Sequence, residues 1–154
     1  MRIFFFTSFI FFSFTLAVAQ NTAKFYMYDS FGDGWNGNNI TLINNCDNSY
    51  TGCYTLPSGS SGSTQNFNIP AGEYSVNVGS SNWPCYSSTD YLSEITWKLY
   101  VNQQLVGQGG APIYGTYILF TLGAGCPVYG CTDMNASNYN ANANTDDGSC
   151  AYNI

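Results

Sequence analysis

Residues 95–101 read Ile-Thr-Trp-Lys-Leu-Tyr-Val, and this stretch decides the fold. Its strictly apolar side chains occupy every second position, which is the spacing that places them on one face of a β-strand. The inward set is Ile95, Trp97, Leu99 and Val101. The outward set is Thr96, Lys98 and Tyr100. The stretch therefore predicts a strand with one buried and one solvated face.

The same two-residue period recurs outward from this strand in both directions. Gly-, Ser-, Asn- and Pro-rich loops separate the segments, as in antiparallel folds. The predicted strands are 23–28, 40–42, 50–56, 67–69, 74–78, 95–101, 105–106 and 116–122. This pattern predicts an all-β protein, an antiparallel, jelly-roll-like β-sandwich of about eight strands. The segment 58–64 (SGSSGST) is interpreted as a flexible hairpin connection, and 116–122 as a strand that is apolar on both faces.

The N-terminal residues 1–19 have the form of a secretory signal peptide. Arg2 precedes an apolar run, and Ala17-Val18-Ala19 provides small residues for cleavage. A membrane anchor is the rival interpretation, but the run is shorter than the roughly 20 residues that a span needs. The leader predicts a secreted protein, extracellular or at the cell surface, with no membrane span in the mature chain.

Composition excludes several classes of function. The chain has three Lys and Arg residues against nine Asp and Glu residues, and it has no His. Binding to nucleic acid or to an anionic membrane needs a basic surface, so neither is expected. A Ser-His-Asp triad and His-ligated metals are excluded as well. Glu73 and Glu94 are the remaining candidates for an acid–base pair, but nothing else indicates a cleft, so no enzyme is predicted.

The six cysteines all follow the leader and predict three disulfides. Six cysteines allow 15 pairings, and the sequence alone does not choose among them. Proximity favours Cys46–Cys53 and Cys131–Cys150, and elimination then leaves Cys85–Cys126. A zinc cluster is disfavoured because the chain has no CxxC pair.

Residues 29–38 form an acidic, glycine-rich stretch after the first predicted strand. Asp29 and Asp33 lie four residues apart, and the side chain of Asn36 or Asn38 can add an amide oxygen. Calcium takes six to eight oxygen ligands of these kinds. The alternative is a turn in which the Asp side chains cap backbone amides. The stretch therefore predicts either a Ca²⁺ loop or such a turn.

Three ordered motifs resemble a recurrent domain of secreted and cell-surface proteins in bacteria and protists. They are YDSFGDGWNGN within 28–39, SEITWKL at 93–99 and GGAP at 109–112, and the match spans most of 24–122. The resemblance implies a calcium-associated β-sandwich on extracellular proteins. It also implies that Glu94 joins Asp29 and Asp33 as a metal ligand, with Asp90 a weaker candidate.

The C-terminal residues resemble a second unit, a short GCTD…NYN…DDGSC repeat of secreted bacterial, protist and viral proteins. One copy covers 130–150, and it predicts a disulfide-closed module at 127–154 after a sandwich domain at 20–126. Asp133, Asp146 and Asp147 are candidate ligands of a second Ca²⁺. The alternative is a closed loop whose Asp and Asn side chains bond their own backbone.

Two further features concern the surface. The N-glycosylation sequons begin at Asn39 and Asn135, which predicts a glycoprotein if the host glycosylates secreted chains. Trp35 and Trp83 lie in predicted loops, where they either contact a ligand or partner or fold over the end of the sandwich.

These features together predict a non-enzymatic, calcium-binding, disulfide-stapled structural or adhesive protein. We expect it to self-assemble, or to join other surface proteins, in an extracellular layer or filament. The alternative is a calcium-dependent carbohydrate-binding module, whose partners are glycans.

Overall fold

The structure is a computed structural model that describes residues 20–79, 84–86, 88, 90–113 and 119–153. It is all-β and sandwich-like, as the alternation predicts. The eight strands of the sandwich are β1 (Asn21–Asp29), β2 (Ile40–Asn44), β3 (Ser61–Ser63), β4 (Phe67–Ile69), β5 (Gly72–Val78), β6 (Ile95–Val101), β7 (Gln104–Gly110) and β8 (Phe120–Leu122). A 3-10 helix, Leu92–Glu94, leads directly into β6.

The larger sheet is built around β1 and β6, which pair antiparallel from Ala23↔Val101 to Asp29↔Ile95. β7 lies on the far side of β6, while β3 and β4 pair with opposite ends of β1. Along β1 and β6 every second residue is buried. The two-residue period therefore gives this sheet one face for the core and one face for solvent.

The smaller sheet has the order β2-β5-β8 and covers the core from the other side. Leu42 and Val76 pair across β2 and β5, and both are buried. They belong to one hydrophobic cluster with Phe25 and Trp97 of the larger sheet. Burial of this shared apolar surface holds the two sheets together.

Three segments of the structure differ in detail from the strands predicted from the sequence. The stretch 50–56 is not a strand but makes isolated bridges from Tyr50 to Ile43 and from Tyr54 to Ile40. The loop 58–64 contains β3, whose pairing with β1 the composition did not indicate. Of the predicted strand 116–122, the part up to 118 lies outside the described residues. In the remainder Thr121 is exposed, so β8 is not apolar on both faces.

The disulfides correct two predicted pairings. Cys46 bonds Cys126 and Cys53 bonds Cys85, so the pairings Cys46–Cys53 and Cys85–Cys126 were wrong. The bridge Tyr54↔Ile40 places Cys53 beside the start of β2, whereas Cys46 follows the end of β2. At about 3.3 Å per residue the two are too far apart, because bonded cysteines have Cα atoms within about 7 Å.

The third predicted disulfide, Cys131–Cys150, is present. It closes the loop 131–150, which contains the short strand β10 (Thr145–Asp146). This strand pairs in parallel with β9 (Tyr129–Gly130), which directly precedes Cys131. Asn144, which lies within this loop, holds the chain that precedes it. Its Nδ2 donates to the carbonyl of Cys126 at 3.1 Å, and its Oδ1 accepts from Val128 N at 2.8 Å. Within the described part of the chain, no helix is long and apolar enough to cross a membrane.

Candidate metal site

Strand pairing brings two acidic residues to the same end of the larger sheet. Asp29 is the last residue of β1, and Glu94 directly precedes β6. Because Asp29 pairs with Ile95, Glu94 lies beside the residue that follows Asp29. The backbone N–H of Ser30 donates to the carbonyl of Glu94 at 3.0 Å and fixes this approach.

Asp29 organises the loop that follows β1. It is buried, and its Oδ2 accepts from the N–H groups of Gly32 at 2.6 Å and Gly34 at 3.0 Å, while its Oδ1 accepts from Phe31 N at 3.3 Å. Gly32 and Gly34 have φ values of 95° and 97°, which L side chains rarely adopt. Burial opposes ionisation of Asp29, but these backbone donors outweigh it and lower its pKa.

The curled loop returns Asp33 to the same place. Carboxylate oxygens of Asp29, Asp33 and Glu94 all lie within 4.8 Å of one another. Asp33 is exposed, and one of its oxygens accepts from Asn36 Nδ2 at 3.1 Å. Three carboxylates at this separation repel one another, and a cation among them removes the repulsion. This cluster, which we call the acidic cluster, can hold a metal ion.

Glu94 has a buried carboxylate oxygen that a cation would stabilise. Its Oε2 atom is buried and has no hydrogen-bond partner among the described residues. Burial, followed by the negative charges of Asp29 and Asp33, raises the pKa of Glu94. A buried polar atom without a partner is costly, and a metal ion would satisfy it. The donor set therefore fits a bound cation.

The two candidate asparagine ligands are held by other contacts. Asn36 donates its amide to Asp33 and, at 3.3 Å, to the carbonyl of Gly34. Asn38 is buried and donates at 2.9 Å to the carbonyls of Trp35 and Asp90, which ties the loop to the segment before Glu94. These bonds give both side chains a role in shaping the loop, and metal ligation by their oxygens stays a prediction.

Trp35 is not a surface platform for a ligand. It is 1 % exposed, and its Nε1 donates to the carbonyl of Tyr28 at 2.9 Å while its backbone N–H donates to Leu56 at 2.7 Å. Of the two alternatives for Trp35, its burial supports the one in which the indole folds over the end of the sandwich, because the loop packs it into the core. Trp83 lies outside the described residues.

The acids of the C-terminal segment do not form a comparable group. Among the described residues, Asp133, Asp146 and Asp147 are not part of any three-acid cluster. Each accepts from the backbone N–H two residues ahead: Asn135 at 2.8 Å, Gly148 at 3.1 Å and Ser149 at 2.9 Å. The bond from Asn135 lowers the pKa of Asp133, and the side-chain and then the backbone hydrogen bond of Ser149 lower the pKa of Asp147. The alternative of self-bonded turns accounts for this geometry, and a second Ca²⁺ gains no support from it.

The two sequons differ in their surroundings. Asn39 is half-buried, and its Nδ2 donates to the carbonyls of Gly37 and Tyr86, each at 3.1 Å. Asn135 is exposed, and its Nδ2 donates to Asp133 at 3.0 Å. Glycosylation stays a prediction at both.

One surface was missed at the level of sequence. Both lysines that follow the leader, Lys24 and Lys98, stand on the solvent face of the larger sheet among tyrosines. The sequence placed each lysine at an outward position of an alternating segment. It did not show that the two lysines are neighbours, because that depends on the pairing of β1 with β6.

Comparisons of the chain with protein-family models, with curated proteins and with solved structures return no match. The resemblances given above therefore rest on the quoted motifs. Function has to be argued from the acidic cluster and the surfaces around it.

Proposed function

We propose that this protein is an extracellular, non-enzymatic structural protein that binds one Ca²⁺ through Asp29, Asp33 and Glu94. The observation that carries the proposal is the acidic cluster, in which three carboxylates converge and one buried Glu94 oxygen has no partner among the described residues. The resemblance to calcium-associated secreted domains supports the same ligand set.

Calcium fits the donors better than other common ions. All six cysteines are in disulfides and the chain has no histidine, so the nitrogen and sulfur ligands that zinc prefers are not offered. The cluster offers carboxylates from an irregular loop, which suits the flexible coordination of Ca²⁺. Mg²⁺ demands a near-ideal octahedron and is the less suitable ion.

A bound ion would act as a cross-link. It would join the loop after β1 to the start of β6, at the end of the sandwich where Asn38 bonds the carbonyl of Asp90. The disulfide Cys53–Cys85 fixes a neighbouring part of the chain. Tyr86 follows Cys85 directly, and its carbonyl accepts a hydrogen bond from the Asn39 side chain. Metal and disulfide together suit a protein that has to resist unfolding and proteolysis outside the cell.

An extracellular location is supported by the three disulfides, which persist in oxidising compartments. The leader at 1–19 supports secretion. The resemblance of the chain to two modules of surface proteins supports a building block of a layer or filament, with further copies or other surface proteins as partners.

The metal site is tested by calorimetric titration with Ca²⁺ of the wild type and of Asp33→Asn. Asp33 is exposed, so its substitution should remove Ca²⁺ binding while the fold is kept. Glu73→Gln is the matched control, since it removes one carboxylate outside the cluster. We expect the control to bind as the wild type does. Equal Ca²⁺ affinity of Asp33→Asn and the wild type would contradict the site.

Assembly is tested separately by light scattering of the oxidised protein with Ca²⁺ and then with chelator. A large species that needs Ca²⁺ supports a building block whose contacts depend on the ordered loop. A monomer in both conditions, at high protein concentration, contradicts self-assembly and leaves the metal site to be judged by the titration alone.

A further inference from the structure

The solvent face of the larger sheet concentrates the positive charge of the chain. Lys24 and Lys98 are its only cationic side chains apart from Arg2 in the leader. We use the name tyrosine face for the surface formed by Lys24, Tyr26, Tyr28, Lys98 and Tyr100. In the β1–β6 register Lys24 pairs with Tyr100 and Lys98 pairs with Tyr26, so the two lysines are diagonal neighbours.

The described partners of both lysines are tyrosine rings. Lys24 Nζ lies 5.1 Å from the ring centre of Tyr26, and Lys98 Nζ lies 5.8 Å from that of Tyr28. No described carboxylate lies within 4.0 Å of either ammonium group, although the chain has nine acidic side chains. Two cations that have no acidic partner among the described residues, on one face of an otherwise acidic protein, make a local site for an anionic partner.

The face also offers groups that recognise sugars. Tyr26 and Tyr100 pack edge to face at 5.3 Å, and no hydrogen bond joins their hydroxyl groups to another described residue. Two open depressions of about 360 and 370 Å³ extend the face at its ends. Amide and hydroxyl side chains line these depressions beside the lysines and tyrosines: Thr22, Asn66, Gln103, Thr96 and Gln108.

We infer that the tyrosine face binds an acidic polysaccharide, with Lys24 and Lys98 on its anionic groups and the tyrosines and amides on its sugar rings. A second copy of this chain is the other acidic candidate. The cores of protein interfaces are depleted of lysine. Among the described residues, only Leu105 adds an exposed aliphatic side chain at the rim of this face. An elongated, hydroxyl-rich polymer is the better complement. This site goes beyond the proposed function and needs no Ca²⁺.

The test measures binding to carboxymethyl-dextran and to uncharged dextran, which share one backbone. It is run in chelator at about 0.15 M salt, where surface charges are screened beyond about 8 Å. Chelator removes any bridging through the acidic cluster, so failure here and failure of the proposed Ca²⁺ site are separate results. Dextran sulfate is a second acidic probe. We expect binding to at least one acidic polymer and none to dextran.

The variant Lys24→Gln/Lys98→Gln should lose at least about tenfold in affinity. The loss of a single hydrogen bond to a charged group is enough to lower an affinity by about that factor. Lys24→Arg/Lys98→Arg should keep binding. The matched control is Asn142→Asp/Asn153→Asp, which lowers the net charge by the same amount at exposed positions in the C-terminal segment. It should bind as the wild type does.

A second measurement does not depend on the folding of any variant. Titration of the wild type with the acidic polymer, followed by NMR, should shift the signals of the tyrosine face and leave those of Asp33 unchanged. The inference is overturned if neither acidic polymer binds, if the control loses as much affinity as the lysine variant, or if the shifts fall elsewhere. A lysine-dependent dimer that binds no polymer would assign the face to a second copy instead.

Discussion

At the scale of single residues, the three carboxylates of the acidic cluster differ in what they do without metal. Asp29 accepts three backbone N–H groups and holds the loop in shape. Asp33 is exposed, and among the described residues its side chain bonds only the Asn36 amide. Glu94 keeps one buried oxygen without a partner among the described residues. Asp29 is therefore needed for the fold of the loop, whereas Asp33 and Glu94 would mainly serve the proposed ion.

The raised pKa of Glu94 gives a pH dependence of known sign. Burial and the nearby charges of Asp29 and Asp33 make the folded protein hold this proton more tightly than the unfolded chain. In chelator, the free energy of unfolding should therefore fall as pH rises above about 4.5, the ordinary value for Glu94. Saturating Ca²⁺ should reverse this trend, because the ion binds the ionised carboxylates.

Thermal unfolding in chelator, at pH values from about 4 to about 7, measures this dependence of stability on pH. Glu94→Gln should flatten the slope, while Glu73→Gln, outside the cluster, should keep it. Asp29 acts in a separate window, since its lowered pKa costs stability only as pH falls below about 3.8. A slope that survives in Glu94→Gln would show that another group carries it.

The sequence could predict part of this site but not all of it. Asp29 and Asp33 lie in one glycine-rich loop, so their spacing alone brought them together. Glu94 is far away in the chain and meets them only because β1 pairs with β6 in one register. No spacing rule provides that register, and only the resemblance indicated Glu94. The burial of Trp35 depends on the same loop geometry, which composition does not specify.

At the scale of elements, strands with a clear two-residue period were predictable and those without it were not. β1 and β6 alternate buried and more exposed residues over most of their length, and β5 does so at its two ends, with Tyr74, Ser75 and Val76 all buried between them. β3 is Ser-Gly-Ser, has no apolar side chain, and is recognisable only through its backbone pairing with β1. A Cβ at Gly62 would lie 2.8 Å from Leu56 Cδ1, so the Leu56 side chain would have to shift to admit one.

The loop after β1 makes a further prediction about backbone fit. A Cβ on Gly34 would lie 2.7 Å from the carbonyl oxygen of Leu56 and 2.8 Å from Ser58 N, and both are backbone atoms. Gly34→Ala should cost about 1–2 kcal/mol for its φ of 97° and about 1–3 kcal/mol more for this overlap. It should also weaken Ca²⁺ binding, because the Gly34 N–H bonds Asp29.

Gly59→Ala isolates the overlap in this experiment. Gly59 has a φ of 79°, but nothing lies within 4 Å of its Cβ position. Denaturant unfolding in chelator should show the cost of positive φ alone for Gly59→Ala and a larger loss for Gly34→Ala. Equal losses would mean that the packing of the loop on residues 56–58 contributes nothing to stability.

At the scale of the whole molecule, the disulfides separate two parts of the chain. Cys46–Cys126 closes a span of 80 residues and joins the end of β2 to the chain after β8. Cys131–Cys150 closes only 19 residues in the C-terminal segment. The buried apolar residues described in that segment are Cys131 and Ala136, which is too little to form a core. The stability of the C-terminal segment should therefore depend on Cys131–Cys150, whereas the stability of the sandwich should not depend on that bond.

The variant Cys131→Ser/Cys150→Ser should lose about 3 kcal/mol of chain-entropy stabilisation, all of it in the C-terminal segment. All three tryptophans precede residue 98, so tryptophan fluorescence follows the sandwich alone, and its melting temperature should not change. Cys46→Ser/Cys126→Ser should lower that temperature, because the longer loop is worth about 4–5 kcal/mol. If both variants lowered it equally, the C-terminal segment would belong to the cooperative unit of the sandwich. The acidic cluster would then be stabilised by the whole chain, and not by the loop, the strand pairing and Cys53–Cys85 alone.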